Sequence, residues 1–373
     1  MTNNILDMAN KVIPPKDLKM INQVPLKKLD VDIGFKSYSF LEISETPEVD
    51  VDWLVEDILP SVGLAQISGT QKSGKSFFSL QLGLSIATGS DFLGRSIEQG
   101  NVLYLDCEGS LDRLNRRMSA QLEGLGIPKS EALKNTRAVF GTDCMNNVDG
   151  GMEAIDAWRL SVAKPRLVII DTLSRWIVKG KGSNPVDVDT RAFAPLQEYA
   201  IKHNICILFI HHTRKGDGES EDYQDKSSGT RGLSAVADCN ILLSKVRGED
   251  RARLRGDGRD VTDFDLSIKS ESIPKRGFWW KLEGDYEKVQ INLSHQKIIE
   301  EANELEQGLQ LTQNRYGWKP KELWEAMNIP KEKQNSKYVL LGRMRKDLIL
   351  GQENKYYYLI SPTYERKEET PLV

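Results

Sequence analysis

From about Trp53 onward, short apolar runs rich in β-branched residues alternate with segments of helical length. The strand-like runs are Leu64–Ser68, Val102–Asp106, Leu167–Asp171, Ile205–Ile210 and Ala237–Leu243. Between them the spacing predicts helices over 75–88, 111–123 and 188–203. Strands that are apolar along their length and joined through helices belong to a parallel sheet covered on both sides. The pattern therefore predicts an α/β fold, a mostly parallel sheet with helices on both faces. Phe264–Lys269 and Phe278–Leu282 read as further strands at its edge, followed by a β-like stretch at Lys288–Leu293.

Around this core, spanning 46–294, the pattern changes. Residues 1–45 have weak periodicity and two adjacent prolines, Pro14 and Pro15, and read as an arm. Residues 295–311 are helical in composition and read as a linker helix. The segment 312–361 predicts a helix over Lys319–Met327, a turn at Asn328–Pro330 and a helix over Asn335–Leu348. A β-hairpin over Ile349–Ile360, turning at Gln352–Asn354, completes it. That order outlines a small winged-helix-like α+β domain, followed by a tail at 362–373.

Composition narrows the class. The chain has 373 residues, and 51 Lys and Arg against 54 Asp and Glu give a net charge of -3. No chain-wide basic field exists, so a polyanion site has to be local. The longest apolar runs are too short to span a bilayer, and no secretory leader is expected, which points to a cytoplasmic protein with no membrane partner. The four cysteines, Cys107, Cys144, Cys206 and Cys239, form no metal-ligand spacing and read as small apolar side chains in a reducing compartment.

Gly69-Thr70-Gln71-Lys72-Ser73-Gly74-Lys75-Ser76 fits the phosphate-loop pattern, and it lies between a strand and a helix as that pattern requires. Its glycines let backbone N–H groups turn inward on phosphate oxygens at a helix N-terminus. Lys75 reaches the outer phosphates, and the Ser76 hydroxyl ligates magnesium. Two further strands end in acids. Asp171 closes Leu167–Asp171, and in phosphate-loop proteins such an aspartate holds the metal. Asp106 and Glu108 close the strand that starts at Val102. Glu108 has the place of a general base, with a solvated loop acid or a helix cap as the plain alternative; Asp106 competes for the same role.

GTQKSGKS, LYLDCE, LVIIDT, ILFIHHTRK and GTRG follow one another in the motif order of the RecA-like ATPases. Within them the chain most resembles the hexameric plasmid replicative helicases of the RepA type, over about residues 50–290. The resemblance implies a RecA-like fold, ATP and Mg2+ as ligands, a catalytic glutamate at Glu108 and a metal aspartate at Asp171. It places a γ-phosphate sensor on His212. It gives Arg231 as a finger supplied to the neighbouring subunit, and Lys269 as a second cation acting across that interface. It also implies that Arg175, Lys179 and Lys181, with Arg214 and Lys215, line a channel that grips single-stranded DNA. The acidic middle of the second loop, Asp217 to Asp225, does not suit that grip.

Residues 312–361 carry ten Lys and Arg against five Asp and Glu, which suits either DNA contact or docking of a replication partner protein. The expected function is an ATP-driven, ring-forming motor on single-stranded DNA, a hexameric replicative helicase of a plasmid, phage or mobile element. A filament-forming recombinase-like ATPase and a nucleotide-switched DNA-binding regulator are the alternatives.

Overall fold

The computed structural model describes residues 37–48, 50–178, 185–212, 236–245, 248–313, 317–347, 349–353 and 356–360. It divides into a unit ending at Asp50 and one starting at Val51. The described part of the first unit holds a short helix, α1 (Phe40–Ser44). Ser39 and Glu42 close a reciprocal capping box at its start, the Glu42 N–H donating to Ser39 Oγ at 3.2 Å.

The second unit is built on a nine-stranded sheet in the order β11-β10-β9-β8-β3-β7-β6-β4-β5. Its parallel part comprises β3 (Gly63–Ser68), β4 (Asn101–Asp106), β5 (Thr136–Phe140), β6 (Pro165–Asp171), β7 (Cys206–Ile210) and β8 (Cys239–Lys245). An antiparallel ribbon extends one edge: β9 (Arg251–Gly258), β10 (Phe264–Ile273) and β11 (Gly277–Asp285). A small hairpin, β1 (Trp53–Val55) with β2 (Leu59–Pro60), stands apart from this sheet. The predicted α/β class is therefore present, with a mixed edge.

Period-two alternation explains why the parallel strands are apolar throughout. In β6, Leu167 and Ile169 enter one core while Val168 and Ile170 enter another; in β7, Leu208 and Ile210 part in the same way from Ile207 and Phe209. The first face is covered by α2 (Lys75–Thr88) through Phe78, Leu82 and Ile86. α4 (Gly151–Ser161) and α6 (Pro185–His203) cover the second through Ile155, Trp158, Phe193 and Leu196. Burying one such side chain stabilises by about 1.5–3 kcal/mol, so the alternation anchors the register of every strand. The order puts β7 between the phosphate-loop strand β3 and β6, and β4 on the far side of β6.

Several expectations are corrected. β5 and β9 were not predicted. β5 has only half-buried and exposed residues, and β9 reads RARLRGDG, polar at every other position, so neither shows a continuous apolar run. Lys288–Leu293 is not β-like. It lies in a long helix, α7 (Tyr286–Gln313), which also absorbs the expected linker. Val289, Ile291 and Leu293 imitate strand alternation. The buried positions His295, Ile298, Ile299, Ala302 and Leu309 then continue at helical spacing and decide the element. α7 is also more than a connection, because Ile298, Ile299 and Ala302 pack with Trp318, Leu323, Trp324, Leu341 and Met344 in a third core. Around that core lie α8 (Pro320–Ala326), α9 (Lys331–Lys346), and the hairpin β12 (Leu350–Glu353) with β13 (Tyr356–Leu359). Gln352 and Glu353 belong to β12, so the hairpin turns later than expected.

Candidate functional site

The phosphate loop leaves β3 at Ser68 and enters α2 at Lys75. Gly69 and Gly74 have φ of 151° and 102°, in the region that favours glycine. Gly74 also lies against Trp280 of β11, where an added Cβ would come within 2.6 Å of the indole. Gln81 of α2 fastens that strand beneath the loop. Its amide donates to the Trp280 carbonyl at 2.9 Å and accepts from the Trp280 N–H at 2.8 Å. Phe77 stacks on Phe278 of β11 with ring centroids 3.9 Å apart.

Inside the loop, Lys75 is buried and donates to the carbonyls of Gly69 at 2.7 Å and Thr70 at 2.8 Å. Burial lowers its ammonium to a pKa of about 8, against the opposing pull of Asp171. Asp171, at the end of β6, is also buried. It is pushed up by desolvation, while hydrogen bonds from Ser76 and Tyr104 work the other way. The Tyr104 hydroxyl donates to it at 3.0 Å. The parallel register sets Asp106 directly beside Asp171. Asp106 is likewise pushed up, first by burial and then by Asp171, and Arg113 of α3 (Leu111–Gly124) pairs with it at 3.5 Å.

Glu108 sits in the turn after β4 and is exposed. Its Oε1 accepts from Thr172 Oγ1 at 3.2 Å and pairs with Arg175 Nε at 3.4 Å. His212, just past β7, faces the same space. Burial and then Lys75 lower its pKa, and its Nδ1 is buried without a hydrogen-bond partner among the described residues. Together these groups line a cleft of ≈ 370 Å³, joined by Arg113 and Arg117.

The cleft suits a nucleoside triphosphate with a divalent cation. Lys75 spends its donors on loop carbonyls that an anion could replace, and His212 has a buried nitrogen to satisfy. Two desolvated carboxylates side by side beneath the Ser76 hydroxyl suit a cation better than they suit each other.

The family model described as an AAA domain matches residues 35–218, just under half of the chain. Solved structures resembling the chain include an ATPase domain at 12% identity, with TM-score 0.45 over 60% of this chain and 86% of that one. A RadB recombinase follows at 20% identity and TM-score 0.38, over 58% and 90%. A DnaB-like replicative helicase, studied with primase, matches at 11% identity and TM-score 0.47, over 64% and 66%. A comparison with curated proteins finds no match.

Within this core, Lys72, Gly74, Lys75, Ser76, Glu108, Asp171 and His212, all expected from the sequence, line one cleft. Gly69, Thr70, Gln71 and Ser73 complete the loop behind them. Lys269 does not line it; it lies on β10 and pairs with Asp250 at 3.5 Å. Arg175, expected on a DNA-facing loop, stands on a helical turn, α5 (Leu173–Trp176), within reach of Glu108. Lys179, Lys181, Arg214, Lys215 and Arg231 lie outside the described residues.

The sequence reading passed over Tyr104, Thr172, Arg113 and Arg117. The two arginines stand four apart on α3, a spacing that puts them on one helical face. Which way that face turned required the sheet.

Proposed function

We propose that this chain hydrolyses ATP with Mg2+ and works as a ring-forming motor on single-stranded DNA, a replicative helicase of a plasmid, phage or other mobile element. The observation that carries this reading is the convergence of Lys75, Asp171, Glu108 and His212 on one cleft at the ends of neighbouring parallel strands.

Each side chain has a definite task there. Lys75 gives up its carbonyl partners to donate to the outer phosphates. Ser76 and Asp171 would hold a divalent cation. That cation, Mg2+ in this reading, would supply charge neutralisation on the phosphate oxygens. Glu108 accepts a proton from the attacking water, and Thr172 orients its carboxylate. His212 donates to the terminal phosphate and registers its loss. Arg231 and Lys269 from a neighbouring copy would complete the charge stabilisation, an arrangement that suits a ring of copies, for which the reading takes a hexamer. Arg175 would take DNA phosphates while standing against Glu108, so the DNA side and the hydrolytic side meet in one ion pair.

ATP turnover measured with and without single-stranded DNA tests the reading. Stimulation by DNA is expected, with turnover reduced by about 10²–10³ in Lys75→Ala. Glu108→Gln is expected to retain nucleotide and lose hydrolysis. Turnover indifferent to every nucleic acid would overturn the motor assignment and leave a nucleotide-binding core.

A further inference from the structure

α8 leads into α9 through a short turn, residues 327–330, in which Asn328 has a φ of 52°. Leu341 and Met344 are fully buried and hold one side of α9 on the C-terminal core. Asn335, Val339, Gly342 and Lys346 recur at intervals of four and three along the helix, so they share the opposite side. All four are exposed, Val339 at 60%, and Tyr338 beside them is exposed at 46%. Tyr338 is steadied from within by an edge contact to the Trp324 ring, with centroids 5.8 Å apart.

The charge of α9 is of one sign. Lys331, Lys333, Lys337, Arg343, Arg345 and Lys346 stand against a single acid within the helix, Glu332. The helix dipole favours basic residues in a last turn, but it does not account for the lysines near the start. Elsewhere on the surface arginines are neutralised: Arg251 by Glu283, Arg253 by Asp265, Arg276 by Glu123. Arg343, Arg345 and Lys346 have no carboxylate partner among the described residues. Gly342 is a second indication. Glycine weakens a helix interior, and a Cβ built here meets nothing within 4 Å, so no described neighbour in the chain needs the space. A bare stretch of backbone in the middle of a basic, exposed face suits a close approach from outside.

We propose that this face of α9 is a docking surface for double-stranded DNA, a second nucleic-acid site separate from the nucleotide cleft and from the proposed single-strand channel. A helix with its side chains is about 10–12 Å across, and the major groove of B-form DNA is about 12 Å wide. α9 enters that groove with Arg343, Arg345 and Lys346 on phosphates and Asn335 toward the base edges. Gly342 lets the helix settle close to the DNA. An exposed helix is convex, unlike the grooves that spread single-strand bases over aromatic rings, and the major groove of A-form RNA is too narrow to admit it. Phosphate contacts dominate, so the grip tolerates sequence and weakens steeply with salt. The site does not rest on the motor reading.

The test uses the full chain without nucleotide and a fluorescein-labelled duplex of about 30 base pairs, with anisotropy read between about 50 and about 200 mM salt. A labelled single strand of the same length is the comparison. Arg345→Ala combined with Lys346→Ala is expected to weaken duplex binding at least about tenfold and to reduce the steepness of log affinity against log salt by about 2, with single-strand binding kept. Lys129→Ala combined with Lys202→Ala removes the same charge from exposed residues off this face and is expected to change neither. Gly342→Glu guards against misfolding. It puts a better helix former into open space, so the thermal midpoint should hold or rise while duplex binding is lost. Duplex affinity unchanged in the Arg345 and Lys346 pair or in Gly342→Glu overturns the site, and so does an equal loss of single-strand and duplex binding. A parent chain with no duplex affinity at about 50 mM salt also overturns it and leaves α9 to an acidic protein partner. Binding is read without hydrolysis, so a chain lacking ATPase would refute the motor reading and leave the duplex site standing.

Discussion

Lys75 carries its charge where the protein solvates it least. Its ammonium has three donors turned toward loop oxygens, and burial lowers its pKa from 10.5 to about 8. Below about pH 8 both folded and unfolded chains hold that proton, and the folded chain bears the whole desolvation cost. Between 8 and 10.5 the folded chain has released the proton while the unfolded chain keeps it. Nucleotide-free stability should therefore rise with pH across that window, by about 1.4 kcal/mol per unit and on the order of 3 kcal/mol in all. Urea melts at about pH 8 and about pH 9.5 check this, and Lys75→Met should flatten the difference. An unchanged slope in that variant would assign the effect to another group. Lys75, Ser76 and Asp171 were legible in the sequence because their chemistry is local: a loop between strand and helix, and an acid at a strand end. Tyr104 was not, because only the pairing of β4 with β6 turns its hydroxyl toward Asp171. Glu108 was legible as an acid in the right turn, but its contacts with Thr172 and Arg175 needed the fold.

At the scale of elements, the phosphate loop depends on a strand more than two hundred residues away in sequence. β11 lies beneath α2, and Gln81 makes two hydrogen bonds to the Trp280 backbone. Gln81→Leu leaves both Trp280 groups buried and unpaired. It should cost about 1–3 kcal/mol per group, read as a lower denaturation midpoint with unchanged slope. Nucleotide affinity should fall with it, since the indole that props Gly74 loses its anchor; full affinity in the variant would show that the loop holds its shape alone. The strands β3, β4, β6 and β7 were readable because each is buried on two sides. β5 and β9 were not, because their alternate positions are polar. The start of α7 was misread because a three-residue alternation precedes its longer helical stripe.

For the whole molecule, the cleft as formed by one chain holds Lys75, Glu108, Asp171 and His212, while Lys269 points its charge elsewhere, onto Asp250. If Arg231 serves the neighbouring copy, two inactive variants should repair each other. Mixing Glu108→Gln chains with Arg231→Ala chains produces interfaces in which an intact Glu108 meets an intact Arg231. ATP turnover of the mixture should exceed that of either variant alone, by a share that follows the mixing ratio. No gain over the separate variants would sink the shared site. Among the described residues no helix is long and apolar enough to cross a membrane.

The junction of β11 with α7 gives the assembly a mechanical property. β11 ends at Asp285 and α7 begins at Tyr286, with no loop between them. One end of this rigid piece is the floor under Gly74, and the other is the spine of the C-terminal core. A load placed on α8, α9 or the terminal hairpin is expected to reach that floor through this junction. Whatever grips the appendage is expected to act through that junction on the loop at Gly74.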